Sequence, residues 1–282
     1  MPETVSAEAI HLDIFPLPEV AWRVLSLTSD LEIESRLLEE VIERDPALVA
    51  RILQRANSAQ FSVSGEVSTI RRAALILGNY RLRSIAILLS LEGVFGCTMV
   101  GQAVWEHSLA VGLASRELAR HWSVRNEEEA FVAGLLHDIG KVVLDRCLPT
   151  EYGQLLADLV DGEGALLERE QDRLGTDHTH VGSNLARTWG LPDHLEEVIR
   201  LHHAPSGAKI DPDLCTLVRI ADTTCRTLGI GRDVAGGLPA DDDGAELPFR
   251  LDTAAAGRIC EPVRAMFEAE AVYFGFNRPR IC

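Results

Sequence analysis

Aromatic residues are scarce, at 5% of 282 residues, although 46% of the chain is hydrophobic. The core must therefore be built from Leu, Val, Ile and Ala, the residues of packed helices. Basic residues are also few: 27 Lys and Arg stand against 43 Asp and Glu, for a net charge of −16. A general nucleic-acid binder needs a basic face for phosphate contacts, so the charge argues against that class. It argues equally against docking on anionic membranes. The six cysteines contain no CxxC pair, and their spacing suggests neither a thiolate zinc site nor a disulfide framework. No sustained period-2 alternation is present, so strands are not expected.

No long apolar run is free of charge. Residues 85–105 have the length of a membrane span, but Glu92 would sit near its middle, at high cost in a bilayer. Gly93 and Gly96 follow it, so a buried helix and then a loop are expected instead. The N-terminus is acidic and mixed and shows no signal-peptide pattern, so a reducing cytoplasm is the expected location.

Helical periodicity fills most of the chain, and the expected fold is all-α. Pro18 can open a helix carrying Val20, Val24, Leu25 and Leu27. Asp45-Pro46 has the form of an N-cap followed by a first-turn proline, leading into the stripe Leu48, Val49, Ile52, Leu53 and Ala56. After the loop-like SVSGEVS, helix resumes over 70–77 and again over 81–91. Further helices are expected near 102–121, 127–144, 150–160, 178–189, 192–203 and 211–228, with a last one over 252–270. Residues 231–246, rich in Gly and Asp, read as an acidic loop. The composition shifts near residue 98, since 98–232 holds eight of the nine histidines. Two helical lobes are expected, 1–97 and 98–282. Arg71, Arg72, Arg81 and Arg83 form a local basic cluster, read first as a solvated helix face and second as a dock for an acidic partner or a nucleotide.

The potential metal ligands are ordered. His107 comes first, then His137-Asp138 in GLLHDIGK, then His178, His202-His203 and Asp222. His and Asp together suit iron, manganese, zinc or nickel better than calcium. Asp222 lies among Leu217, Val218, Ile220 and Ala221, where an unpaired carboxylate is penalised and a metal is a good partner. His11, His121 and His194 read as surface residues.

This order, His107, HDIGK, HTHVG at 178–182, His202-His203 and Asp222, resembles the HD superfamily of metal-dependent phosphohydrolases, and is nearest to its HD-GYP branch of cyclic-di-GMP phosphodiesterases. FPLPEVAWRVL, IERDPALVARILQRANSAQF and RRAALILGNYRLRSIAI resemble the HDOD domain, the HD-related output domain of bacterial signalling proteins. The similarity runs from about residue 12 to about 228. It implies an N-terminal helical lobe beside an HD-type helical lobe. It also implies one or two divalent transition-metal ions held by His107, His137, Asp138, His178, His202, His203 and Asp222, with Asp138 bridging and Lys141 contacting a substrate phosphate. Asp138 and Lys141 would then be the catalytic residues. His178 matches the family histidine, because it precedes Gly182 by four; His180 does not. The Gly-Tyr-Pro signature is absent, replaced after the His pair by Ala204-Pro205-Ser206-Gly207. The resemblance therefore implies a signalling module, such as a response-regulator output, that works through a protein partner. A metal-dependent phosphodiesterase is the alternative and a nucleotide sensor the third reading. A homo-oligomer is compatible with each.

Overall fold

The computed structural model describes residues 10–27, 31–58, 66–96, 98–124, 126–160, 166–232, 253–274 and 276. Among them every regular element is a helix, as expected of an all-α chain. The acidic loop expected over 231–246 lies almost wholly outside the described residues, as does most of SVSGEVS.

The chain divides into two compact units, one of residues 16–94 and one of residues 1–15 with 95–282. The smaller unit contains α1 (Glu19–Ser26), α2 (Leu31–Glu43), α3 (Pro46–Ala56), α4 (Ile70–Leu77) and most of α5 (Asn79–Phe95). Asp45 caps α3 by accepting from the backbone N–H groups of Ala47 and Leu48, as its position before Pro46 predicts. Asn57 ends α3 and clamps Val67, exchanging two 2.8 Å hydrogen bonds with its main chain. Gly78, at φ +79°, supplies the left-handed residue that turns the chain between α4 and α5. Those two helices would together meet the length and composition of a membrane span, but they are bent by 119°. No single described helix is long and apolar enough to cross a membrane. Gly93 lies inside α5, and Glu92 there ion-pairs with Arg51 of α3. Of the basic cluster, Arg83 holds the carbonyls of Val24 and Leu25 at 3.1 and 3.2 Å, while Arg71 and Arg72 are exposed.

The larger unit is built on α6 (Met99–Trp122), whose faces carry α7 (Glu127–Leu136), α13 (Pro212–Leu228) and α14 (Thr253–Phe274). The α6–α7 contact is close because it is made at glycines. A Cβ on Gly112 would lie 2.9 Å from the Phe131 carbonyl oxygen, and one on Gly134 would lie 2.9 Å from that of Val111. Packing brings α8 (Ile139–Cys147) onto α11 (His178–Thr188), and α11 onto α12 (Asp193–Leu201). Between them lie α9 (Pro149–Val160) and α10 (Leu166–Leu174). The helix expected over 127–144 is two helices, α7 and α8, broken at His137-Asp138. Both side chains at the break are buried. Phe15 also belongs to this unit: Trp189 Nε1 donates to its carbonyl at 2.7 Å, and the Arg146 guanidinium lies 4.5 Å from its ring centre.

Candidate metal centre

The seven ligand positions expected from the sequence converge within the larger unit. His107 comes from the middle of α6 and Asp222 from α13. His137 and Asp138 form the α7–α8 break, His178 opens α11, and His202 and His203 follow α12. Six of the seven are essentially excluded from solvent; His203 alone is partly accessible. His180 is exposed, as are His11 and His121, while His194 bonds Glu129 at 2.8 Å.

Asp138 is the hub. Its Oδ1 lies 3.5 Å from His178 Nε2 and 3.6 Å from His202 Nε2; its Oδ2 lies 3.3 Å from His137 Nε2 and 3.8 Å from His107 Nε2. Two sets of donors result, each with its atoms within 4.8 Å of one another: Asp138, His178, His202 and His203, and His107, His137 and Asp138. Asp222 joins through His107, whose Nε2 is 2.9 Å from Asp222 Oδ1.

Local hydrogen bonds orient the imidazoles. His137 Nδ1 donates to the Gly134 carbonyl at 2.7 Å, and His202 Nδ1 to the Ile199 carbonyl at 3.1 Å. These acceptors lie on the preceding helical turn, so each ring presents Nε2 inward as a lone pair. His178 is fixed by a residue the sequence reading missed. Glu170 of α10 is fully buried, and its Oε2 accepts from both His178 Nδ1 (2.6 Å) and the His178 backbone N–H (2.8 Å). Its Oε1 accepts from the Tyr152 hydroxyl at 2.9 Å. A carboxylate behind an imidazole sets the tautomer and raises the basicity of the inward nitrogen. Burial, reinforced by the Glu170 charge, pushes the Tyr152 phenol well above its usual range.

The electrostatics oppose burial at both central carboxylates. Burial alone would raise the Asp138 carboxyl, but His137 and Lys141 beside it hold it well below the usual carboxylate range. Asp222 behaves likewise under Arg226 and His107. Burial depresses His137, yet the Asp138 and Asp222 charges leave it raised. Burial takes His202 down to about 4 and, with His202 and His178 alongside, lowers His203 well below its ordinary value. Lys141 is fully buried, and its Nζ lies 2.6 Å from Asp138 Oδ2.

The donor set fits a divalent transition metal. His137 Nε2, Asp138 Oδ1 and His202 Nε2 are buried and have no hydrogen-bond partner. Buried polar atoms are normally satisfied, and orphans of this kind around one carboxylate are what an ion would satisfy.

A family model described as the HDOD domain matches residues 14–205. A Treponema pallidum protein of uncharacterised function is 25% identical over 233 residues, covering 80% of this chain and 45% of that one. Ribonuclease Y of Thermosipho melanesiensis is 27% identical over 186 residues, covering 66% of this chain and 28% of that enzyme. The chain thus spans less than half the length of these curated relatives. Among solved structures, an HDOD domain protein of unknown function from Geobacter sulfurreducens shares the fold, with a TM-score of 0.73, 24% identity, and 95% of this chain and 93% of that one covered. A candidate phosphohydrolase from Shewanella amazonensis matches with a TM-score of 0.69 and 25% identity, over 93% of this chain and 94% of that one. With more than half of its length matched by the family model, and with the ligand order and helical architecture in agreement, the chain belongs to the HDOD domain family.

Proposed function

We propose that this chain is a cytoplasmic signal-transduction output module that acts by binding a signalling protein partner and retains an HD-type metal site. The lobe of residues 98–282 would carry that site, and the lobe of residues 1–97 would serve input or partner contact. The observation that carries the choice of module over enzyme is the state of Lys141. A side-chain clamp on a substrate phosphate needs a cation free to meet it, and this one is buried against Asp138. The replacement of Gly-Tyr-Pro by Ala204–Gly207, here a single 3-10 turn over Pro205–Gly207, supports the same reading.

The metal part rests on the orphaned donors. The proposed ligands are His107, His137, Asp138, His178, His202, His203 and Asp222. A bound divalent ion would supply Lewis acidity toward an anionic ligand. The chain's own residues do the positioning: Glu170 orients His178, main-chain carbonyls orient His137 and His202, and Lys141 holds Asp138.

A metal-dependent phosphodiesterase is the second reading, with Asp138 and Lys141 as catalytic residues and a cyclic dinucleotide or another phosphoester as substrate. It is supported by the partial accessibility of His203 and by the ribonuclease Y relative, whose substrate is a phosphodiester chain.

The test is to purify and reconstitute the protein anaerobically, measure first-row metals, and assay cyclic dinucleotides, RNA and generic phosphoesters. The variant His137→Ala/Asp138→Ala serves as control. Bound metal with no turnover above the control is expected. Turnover that the double variant loses would establish the second reading, and absence of any first-row metal would remove the metal site.

A further inference from the structure

The two halves of the cluster share Asp138 but differ in what already holds them. On the first half, Asp138 Oδ1 faces His178 Nε2 at 3.5 Å and His202 Nε2 at 3.6 Å. Oδ1 and His202 Nε2 have no hydrogen-bond partner. The Nδ1 atoms of both rings donate outward, to Glu170 and to the Ile199 carbonyl, so both lone pairs point in. Separations of this size match the edge of a tetrahedron with bonds of about 2.1 Å, roughly 3.4 Å.

On the second half the carboxylates already have cationic partners. Asp138 Oδ2 is 2.6 Å from Lys141 Nζ. Asp222 Oδ1 accepts from Arg226 Nε at 2.9 Å and meets His107 Nε2 at the same distance. An imidazole nitrogen that close to a carboxylate carries the proton, so His107 has no lone pair there. Among the described residues, His137 Nε2 is the buried atom of this half that has no hydrogen-bond partner. A divalent ion entering here would have to displace two cations that the fold holds in place.

We propose that the cluster takes a single divalent ion, held by Asp138, His178 and His202, and that Lys141 and Arg226 stand where a second ion would otherwise be. The inference rests on the reading that the cluster binds metal, and it departs from a two-ion centre bridged by Asp138. His203 belongs to the first half as a hydrogen-bond donor. Arg219 Nη1, which can only donate, is 3.2 Å from His203 Nδ1, so the neutral ring carries its proton on Nε2 and donates it to the His178 Nε2 lone pair at 3.1 Å. An ion on His178 displaces only this hydrogen bond between neutral rings, from the one partly accessible histidine of the cluster, whereas an ion on the second half displaces two buried ion pairs. With His203 outside the ligand set, the fourth position of a tetrahedral ion is left to a ligand the chain does not supply.

Equilibrium dialysis of the wild-type chain against Zn2+ and, separately, Mn2+, with bound metal measured by elemental analysis, tests this directly. One equivalent is expected. Two equivalents of comparable affinity would overturn the inference and leave the metal-site reading standing; no binding of either ion would remove both. His178→Ala and His202→Ala are each expected to lose the bound equivalent. A folded variant of either kind that keeps it would place the ion on the other half and overturn the proposal. Lys141→Met is expected to admit a second equivalent. Arg226→Ala provides the same reading should Lys141→Met fail to fold by circular dichroism. A folded variant of either kind that still binds one equivalent would refute the stand-in role of that cation.

Discussion

Replacing Gly140 by alanine separates helix propensity from the close approach that builds the metal centre. Gly140 lies in the first turn of α8, two residues after Asp138, and α8 packs on α11 at this residue. A Cβ there would fall on the His178 carbonyl oxygen and lie 2.8 Å from both the His178 carbonyl carbon and the Gly182 nitrogen. All three are backbone atoms, so no rotamer change relieves the overlap. Bringing the two 2.8 Å approaches to an ordinary contact of about 3.5 Å takes roughly 0.7 Å, and relieving the closer overlap with the His178 carbonyl oxygen requires the helices to part by more than that. Overpacking of this kind costs about 3 kcal/mol, at the upper end of its range, because backbone must move. Alanine regains about 1 kcal/mol of helix propensity, leaving a net loss of about 2 kcal/mol, or a melting temperature lower by roughly 4–8 °C. The same movement separates Asp138 from His178, now 3.5 Å apart, by more than the ~0.2 Å that a metal site tolerates. Metal affinity should therefore fall at least tenfold. Gly153→Ala is the matched control: Gly153 lies inside α9, and its Cβ would meet nothing within 4 Å. That variant should be stabilised by up to about 1 kcal/mol. Thermal melts and metal dialysis on both variants decide the matter. A Gly140→Ala protein that melts at or above the wild type would refute the reasoning.

Two further substitutions probe the residues that hold the site. Glu170→Gln keeps the shape behind His178 but removes the charge, and metal affinity should fall about tenfold with the fold intact; undiminished affinity would show that the carboxylate does not tune His178. Glu197 of α12 accepts from the backbone N–H groups of Lys209, Ile210 and Asp211 at 2.7–2.9 Å, fixing the turn that leads into α13. Burial would raise this carboxyl, but those donors lower it from 4.5. Its contribution is therefore full above the unfolded-state value and is lost as pH falls through the lower folded value. Glu197→Gln should cost about 1–3 kcal/mol at pH 7 and flatten the loss of stability below about pH 5, as read from denaturant melts across pH. An unchanged acid limb would mean that this carboxylate is not coupled to folding.

What could be read from the sequence follows from how local each signal is. The ends of α11, α12 and α13 lie close to their expected positions because each is marked by neighbours in sequence. Asp177 and Asp211 cap the next backbone N–H groups, and Gly190-Leu191-Pro192 separates α11 from α12. The break at His137-Asp138 carries no such mark. Apolar residues run through Phe131–Leu136 and again from Ile139 to Leu144, so periodicity continues across it. The ligands themselves stand out because buried His and Asp are rare in an aliphatic chain. Glu170 does not, since LLEREQDRL has the pattern of a solvated helix and its partners, Tyr152 and His178, lie on other helices.

The cations that settle the character of the centre are a different case, because they are visible in the sequence and ambiguous there. Lys141 follows Asp138 by three residues and Arg226 follows Asp222 by four, the spacings at which helical side chains meet. A helical carboxylate with a basic residue at that offset reads equally as a metal ligand and as half of an ion pair. Distance separates the two. Asp138 turns one oxygen to Lys141 and leaves the other facing two imidazole lone pairs. Asp222 gives its Oδ1 to both Arg226 and His107. The same pair of residue types therefore leaves Asp138 Oδ1 without a hydrogen-bond partner and Asp222 Oδ1 doubly engaged, and for that reason the number of ions bound is the measurement on which the reading of this centre turns.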